Sequence, residues 1–197
     1  IIIFESVYDR FVNMLVEKTK KLKIGNTNED DLGPVINKKQ LNNMLLAIQK
    51  AINEGGNILL GGERLNGEKY KNGFYLAPTL IDKVDPQAEI SQSELFGPIA
   101  CLYKSKDYKE ALDIANNSPF GLTGCIHTAN FDRANHFIQN LQAGVAVVNA
   151  GTFGSEPHMP FGGIKQSGNG TREPGTEAID IYSELKDVYI NISPEVN

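Results

Sequence analysis

The sequence has little sulfur, no excess of positive charge and no long apolar run. Its two cysteines, Cys101 and Cys125, are too few for a disulfide framework, so a reducing, cytoplasmic setting is the default expectation. No stretch approaches the roughly 20 apolar residues that span a bilayer, and mean hydropathy is −0.27, which excludes a transmembrane helix. The 19 basic residues are outnumbered by 24 acidic ones, for a net charge of −5. An acidic balance of this kind argues against a nucleic-acid or anionic-membrane partner. His127, His136 and His158 are scattered, without HExxH or Cys–His spacing, which leaves a metal site without support. No basic segment leading an apolar core stands at the start, so the opening does not have the form of a signal peptide.

What remains is ordinary globular material: 197 residues, 41% hydrophobic and 22% charged, long enough to bury a core without disulfide or metal staples. Ile1-Ile2-Ile3-Phe4 reads as a buried β-strand. Because chain ends are normally exposed, this opening is expected to belong to the back part of a longer chain. A helix follows, with Tyr8, Phe11, Val12, Leu15 and Val16 at helical spacing and lysines complementing its C-terminus. Asn37 and Gln40 have capping-box spacing, and Leu41, Met44, Leu45, Ile48 and Ile52 form the apolar stripe of the helix they open. Strands are expected at 57–60, within 74–81, and at 99–103, 122–127, 145–148 and 185–192. Further helices open at Asp107 and Asn130, and a short one lies near 176–182. Strands alternating with amphipathic helices give an α/β fold, a mostly parallel sheet flanked by helices, with a final strand that leaves the sheet to pair elsewhere.

Several phosphate-binding signals fail. Gly62 to Gly67 has P-loop glycine spacing, but Glu68 stands where the lysine is required; Gly163 to Gly168 is followed by Asn169 and fails in the same way. Cys101 and Cys125 lie in apolar strands with no neighbouring cation or helix N-terminus to lower a thiol pKa, and both read as structural. Two motifs remain. In Glu94-Leu95-Phe96-Gly97-Pro98, a carboxylate able to accept two hydrogen bonds suits a vicinal diol such as a ribose, and the ring suits a sugar or flat heterocycle. A helix-end turn with a salt-bridged glutamate accounts for the same residues. In Met159-Pro160-Phe161-Gly162-Gly163-Ile164-Lys165-Gln166-Ser167-Gly168, paired glycines permit close backbone approach, to a ligand or simply to a neighbouring chain segment.

In order and spacing, Glu94-Leu95-Phe96-Gly97-Pro98, Asn116-Asn117-Ser118-Pro119-Phe120-Gly121-Leu122, Pro160-Phe161-Gly162-Gly163 with Lys165, Ser167 and Gly168, and Tyr182 with Glu184, Lys186 and Val188 resemble the motifs of the aldehyde dehydrogenase superfamily. The resemblance runs from Phe4 to Ile192. It implies the C-terminal part of a catalytic α/β domain over residues 1–183 and an oligomerisation strand and tail over 184–197. The implied chemistry is oxidation of an aldehyde to a carboxylic acid with NAD or NADP. In the family the catalytic cysteine, general-base glutamate and oxyanion-hole asparagine side chain lie upstream of the segment matched here, so no catalytic residue is assigned in these 197 residues and the chain alone is expected to be inactive.

By the same resemblance Glu94 would bind the nicotinamide-ribose hydroxyls, Phe96 would pack beside that ribose, and Gln40 matches a position able to touch the cofactor. Phe153 would form an aromatic wall of the aldehyde entrance, and His158 would contact a distal carboxylate of the substrate or stand free in solvent. The stretch from Gly154 to Pro160, with Asn169-Gly170-Thr171-Arg172-Glu173-Pro174-Gly175, looks most like the 2-oxoglutarate-semialdehyde (2,5-dioxopentanoate) dehydrogenases of the family. A semialdehyde acid is therefore the expected substrate and a homo-oligomer, dimer or tetramer, the expected assembly. A general or succinate-semialdehyde dehydrogenase is the alternative within enzymes; a non-catalytic oligomerisation or binding module is the alternative of another class.

Overall fold

The computed structural model describes residues 1–191 and divides them into two compact units, one of Ile1–Pro119 and one beginning at Phe120. In the first unit β1 (Ile2–Phe4) leads through a single 3-10 turn into α1 (Tyr8–Thr19). A polar loop precedes α2 (Lys38–Asn53), which starts where the Asn37 side chain accepts the Gln40 backbone N–H at 2.8 Å. There follow β2 (Asn57–Leu60), β3 (Thr79–Asp82), the short α3 (Glu89–Gln92), β4 (Ile99–Ser105) and α4 (Tyr108–Asn116), the last capped by Asp107 on the Glu110 N–H.

The sheet order is β1-β4-β3-β2. β4 pairs parallel with both β1 and β3, and β2 closes the edge antiparallel to β3. All four residues of β3 are buried, as fits an inner strand covered on both faces. Alternate residues of a strand face opposite ways. Accordingly Ile99, Cys101 and Tyr103 face a core formed with Leu41, Met44, Ile48 and Ala51 of α2, while Leu102 joins Ile3, Tyr8 and Val12 on the face covered by α1. Met44 and Leu41 are essentially inaccessible to solvent. Full burial of such side chains stabilises the fold by about 2 kcal/mol each. Asp82, also buried, accepts hydrogen bonds from Tyr8 Oη at 3.2 Å and Asn57 Nδ2 at 2.8 Å, which ties α1, β2 and β3 together.

The second unit contains β5 (Phe120–Gly121), β6 (Thr123–Ile126), α5 (Phe131–Asn140), β7 (Val145–Val148), β8 (Ile164–Lys165) and α6 (Ala178–Ile181). β6 and β7 pair parallel, β5 and β8 antiparallel. Asn130 caps α5 through the Arg133 N–H at 2.8 Å. The paired glycines serve backbone packing: a β-carbon on Gly144 would fall 1.7 Å from the Gly162 carbonyl oxygen. Ser167 Oγ accepts the Gly121 N–H at 3.1 Å, fastening the glycine loop to β5.

Residues 185–191, expected as a strand that leaves the main sheet, pair with no strand among the described residues, and Leu185, Val188, Tyr189 and Ile190 are exposed. A strand exists through its ladder, and no other described segment offers one. Ile192, the end of that expected strand, lies outside the described residues. Cys125, which reads from its apolar strand as a structural cysteine, is exposed, since β6 pairs with β7 alone among the described residues, whereas Cys101 is half-buried.

Candidate functional site

The turn Glu94–Pro98 joins α3 to β4, and Leu95, Gly97 and Pro98, the residues next to Phe96, are held. Leu95 packs on the α2-side core, and its carbonyl accepts Gln40 Nε2 at 2.6 Å. Gly97 lies on Met44, and a β-carbon there would come within 2.3 Å of Met44 Cε. The Pro98 carbonyl accepts the Thr79 N–H, and the Gly97 carbonyl accepts that of Ile99, both at 2.8 Å. Phe96 between them adopts φ 49°, a left-handed backbone that L side chains avoid, and its ring is 79% exposed. Non-glycine residues hold such backbone only where their surroundings over-determine it, and they concentrate at binding sites.

Glu94 and Phe96 stand on the rim of one open pocket of about 450 Å³, whose floor includes Ile99, Cys101 and Tyr103. The Glu94 carboxylate is exposed and has no hydrogen-bond or ion-pair partner among the described residues. A carboxylate can accept hydrogen bonds from two hydroxyls, and an aromatic ring can pack against a sugar or flat heterocycle. Tyr103 Oη donates to Ser91 Oγ at 2.7 Å, and burial pushes its phenol pKa up to about 12. Burial likewise pushes the Cys101 thiol up, the opposite of what a nucleophilic thiolate needs.

Of the residues singled out in the sequence, the structure brings Gln40, Glu94 and Phe96 to this one turn. Phe153 and His158 belong to the second unit, on the loop that follows β7; both are exposed, Phe153 at 90%. The loop starts from Asn149, at φ 59°, whose side-chain amide bonds Thr128 twice: the N–H of Thr128 at 2.8 Å and its carbonyl at 2.9 Å. Met44 and Asn149 were not singled out by motif. Met44 reads as one more residue of a helical stripe, and the signal that could have pointed to position 149 is asparagine's tolerance of left-handed backbone. Among the described residues no group of three or more His, Cys, Asp or Glu is arranged to hold a metal ion, and no helix is long and apolar enough to cross a membrane.

Residues 1–188 match the sequence model of the aldehyde dehydrogenase family. The chain belongs to the aldehyde dehydrogenase family. Alpha-ketoglutaric semialdehyde dehydrogenase of Bacillus subtilis is 40% identical over 192 residues, covering 96% of this chain and 39% of that protein. Among solved structures, 3,6-anhydro-L-galactose dehydrogenase in complex with NAP superposes with a TM-score of 0.91 at 32% identity, over 96% of this chain and 40% of that one. Betaine aldehyde dehydrogenase from Staphylococcus aureus in complex with NAD+ gives a TM-score of 0.87 at 31% identity, over 92% and 36%. The chain thus spans about two fifths of the length of these aldehyde dehydrogenases. Its α/β architecture, with helices on a mostly parallel sheet, is theirs.

Proposed function

We propose that this chain is the C-terminal part of the catalytic domain of an NAD(P)-dependent aldehyde dehydrogenase that oxidises a semialdehyde acid, such as 2-oxoglutarate semialdehyde, to a carboxylic acid. The observation that carries the reading is the joint exposure of Glu94 and Phe96 on the rim of one pocket. When bound, the dinucleotide supplies the hydride acceptor. The Glu94 carboxylate accepts both hydroxyls of the nicotinamide ribose, Phe96 packs along its edge, and Gln40 completes this side of the site. Holding the ring in line matters because misplacement by about 1 Å can cost on the order of a hundredfold in rate.

Phe153 forms an aromatic wall at the aldehyde entrance, and His158 on the same loop meets the distal carboxylate of the substrate. The semialdehyde assignment is supported by the form of the Gly154–Pro160 stretch and by the 40% identity to the Bacillus subtilis enzyme. Residues 184–197 supply the oligomerisation strand and tail, a role for which the exposed Leu185, Val188, Tyr189 and Ile190 argue. The two free cysteines support a cytoplasmic setting. Neither is poised to attack an aldehyde, so the 197 residues alone are not expected to turn over.

The test is a steady-state screen of the intact enzyme carrying this chain, with 2-oxoglutarate semialdehyde, succinate semialdehyde and uncharged aldehydes, each with NAD+ and NADP+. The reading expects the highest kcat/KM on a semialdehyde acid, and His158→Ala should lower it through KM. A preference for uncharged aldehydes, unaffected by His158, would replace the proposed substrate with a general aldehyde.

A further inference from the structure

We propose that Asn169 is a modification site: in the folded protein its side-chain amide deamidates spontaneously by reaction with the backbone nitrogen of Gly170. The sequence holds three Asn-Gly pairs, Asn66-Gly67, Asn72-Gly73 and Asn169-Gly170, and local chemistry treats them alike, because a following glycine carries no β-carbon to shield its nitrogen. The structure separates them. The Asn169 side-chain oxygen accepts two hydrogen bonds from one residue, the Thr171 backbone N–H at 3.1 Å and the Thr171 hydroxyl at 2.6 Å. A β-carbon built on Gly170 would meet nothing within 4 Å, and the Gly170 N–H has no partner among the described residues. Gly170 and Thr171 also line an open pocket of about 300 Å³, so water reaches the bond.

In the reaction the Gly170 nitrogen gives its proton to solvent and attacks Cγ of Asn169. Negative charge gathers on the side-chain oxygen, where both Thr171 donors already stand, and donors placed in advance on a developing oxyanion lower the barrier. The Cγ–Nδ2 bond then breaks and ammonia leaves with a proton from water, closing a succinimide ring. Water opens that ring at either carbonyl, to aspartate or to isoaspartate. The sum is one water consumed and one ammonia released, with nothing oxidised or reduced.

The other two pairs lack this arrangement. Asn66 Nδ2 donates to the Arg64 carbonyl at 3.2 Å, and no donor among the described residues reaches the Asn66 side-chain oxygen. At Asn72 the nucleophile itself is engaged: the Gly73 N–H donates to the Tyr70 carbonyl at 3.3 Å, and Gly73 packs against the Tyr75 ring. The site also lies where the glycine loop is tied down. The Thr171 carbonyl accepts Arg172 Nη1 at 2.9 Å, and the same nitrogen donates to the Gly163 carbonyl at 3.1 Å. Isoaspartate at position 169 routes the main chain through an additional methylene just ahead of that tie, and either product adds a carboxylate beside it.

The test is peptide mapping by mass spectrometry of the intact enzyme carrying this chain, incubated at mildly alkaline pH both folded and unfolded in guanidinium chloride. Unfolded, the three pairs should deamidate at similar rates. Folded, Asn169 should convert well ahead of Asn66 and Asn72. Thr171→Val keeps the branched shape and removes the hydroxyl donor. It should slow conversion of Asn169 about fivefold in the folded enzyme, the scale of one hydrogen bond, and leave the unfolded rate unchanged. Conversion of Asn66 or Asn72 as fast as that of Asn169 in the folded enzyme overturns the proposal, and so does a folded Thr171→Val enzyme that deamidates at the unsubstituted rate. If Thr171→Val fails to fold, the ranking of the three pairs in the unsubstituted enzyme decides alone.

Discussion

Met44 and Gly97 are in contact so close that no side chain fits between them: a β-carbon on Gly97 would meet Met44 Cε at 2.3 Å and Sδ at 2.5 Å. Met44 is fully buried and packed among Leu41, Ile48 and Ile81, so it has little room to yield. Gly97→Ala is therefore expected to destabilise the chain by about 1–3 kcal/mol, the usual cost of overpacking, as read from urea unfolding. Trimming Met44 to Ala in the Gly97→Ala background should recover part of that loss, whereas two independent defects would add.

Phe96 holds a backbone conformation that its side chain disfavours. At φ 49° an alanine carries the left-handed penalty and a glycine does not, while the exposed ring contributes little to the core. Phe96→Gly should be more stable than Phe96→Ala by about 1 kcal/mol, in thermal or urea unfolding. Equal stabilities would mean that the backbone at this position relaxes and is not held.

The chain should lose stability between about pH 10 and pH 12. Burial first, then the neighbouring Asp82 carboxylate, pushes the Tyr8 phenol from 10.0 up to about 12, and burial does the same to Tyr103. Both phenols are raised on folding, so the stability they contribute is complete below pH 10 and disappears as pH rises through 12, where the unfolded chain has already given up those protons. Because the sequence has no tryptophan among its seven tyrosines, absorbance near 295 nm follows tyrosinate cleanly. Tyr8 and Tyr103 should ionise late, together with unfolding, and Tyr8→Phe should remove one tyrosine from that late phase. Ionisation of all seven at the ordinary phenol pKa would contradict the burial described here.

Much of the fold was legible in local sequence. Asn37, Asp107 and Asn130 each cap the helix they were expected to open, since a cap is settled within four residues. The alternation of strands and helices was legible for the same kind of reason, whereas local chemistry left Glu94 and Phe96 open and only the order and spacing of several motifs singled them out. What lay out of reach depends on distant partners. The Gln40 side chain prefers the Leu95 carbonyl to the cap beside it, and the exposure of Cys125 reflects how few strands flank β6. The pattern of Leu185, Val188 and Ile190 resembles a strand, but pattern alone supplies no ladder.

The account stands or falls on Glu94 as the acceptor for a ribose diol. The most direct measurement is single-turnover hydride transfer in the intact enzyme carrying Glu94→Gln, which keeps the shape of the side chain but removes its charge. Losing charge-assisted hydrogen bonds should slow transfer about tenfold to a hundredfold, with the aldehyde KM nearly unchanged. A hydride rate equal to that of the unsubstituted enzyme would contradict the account.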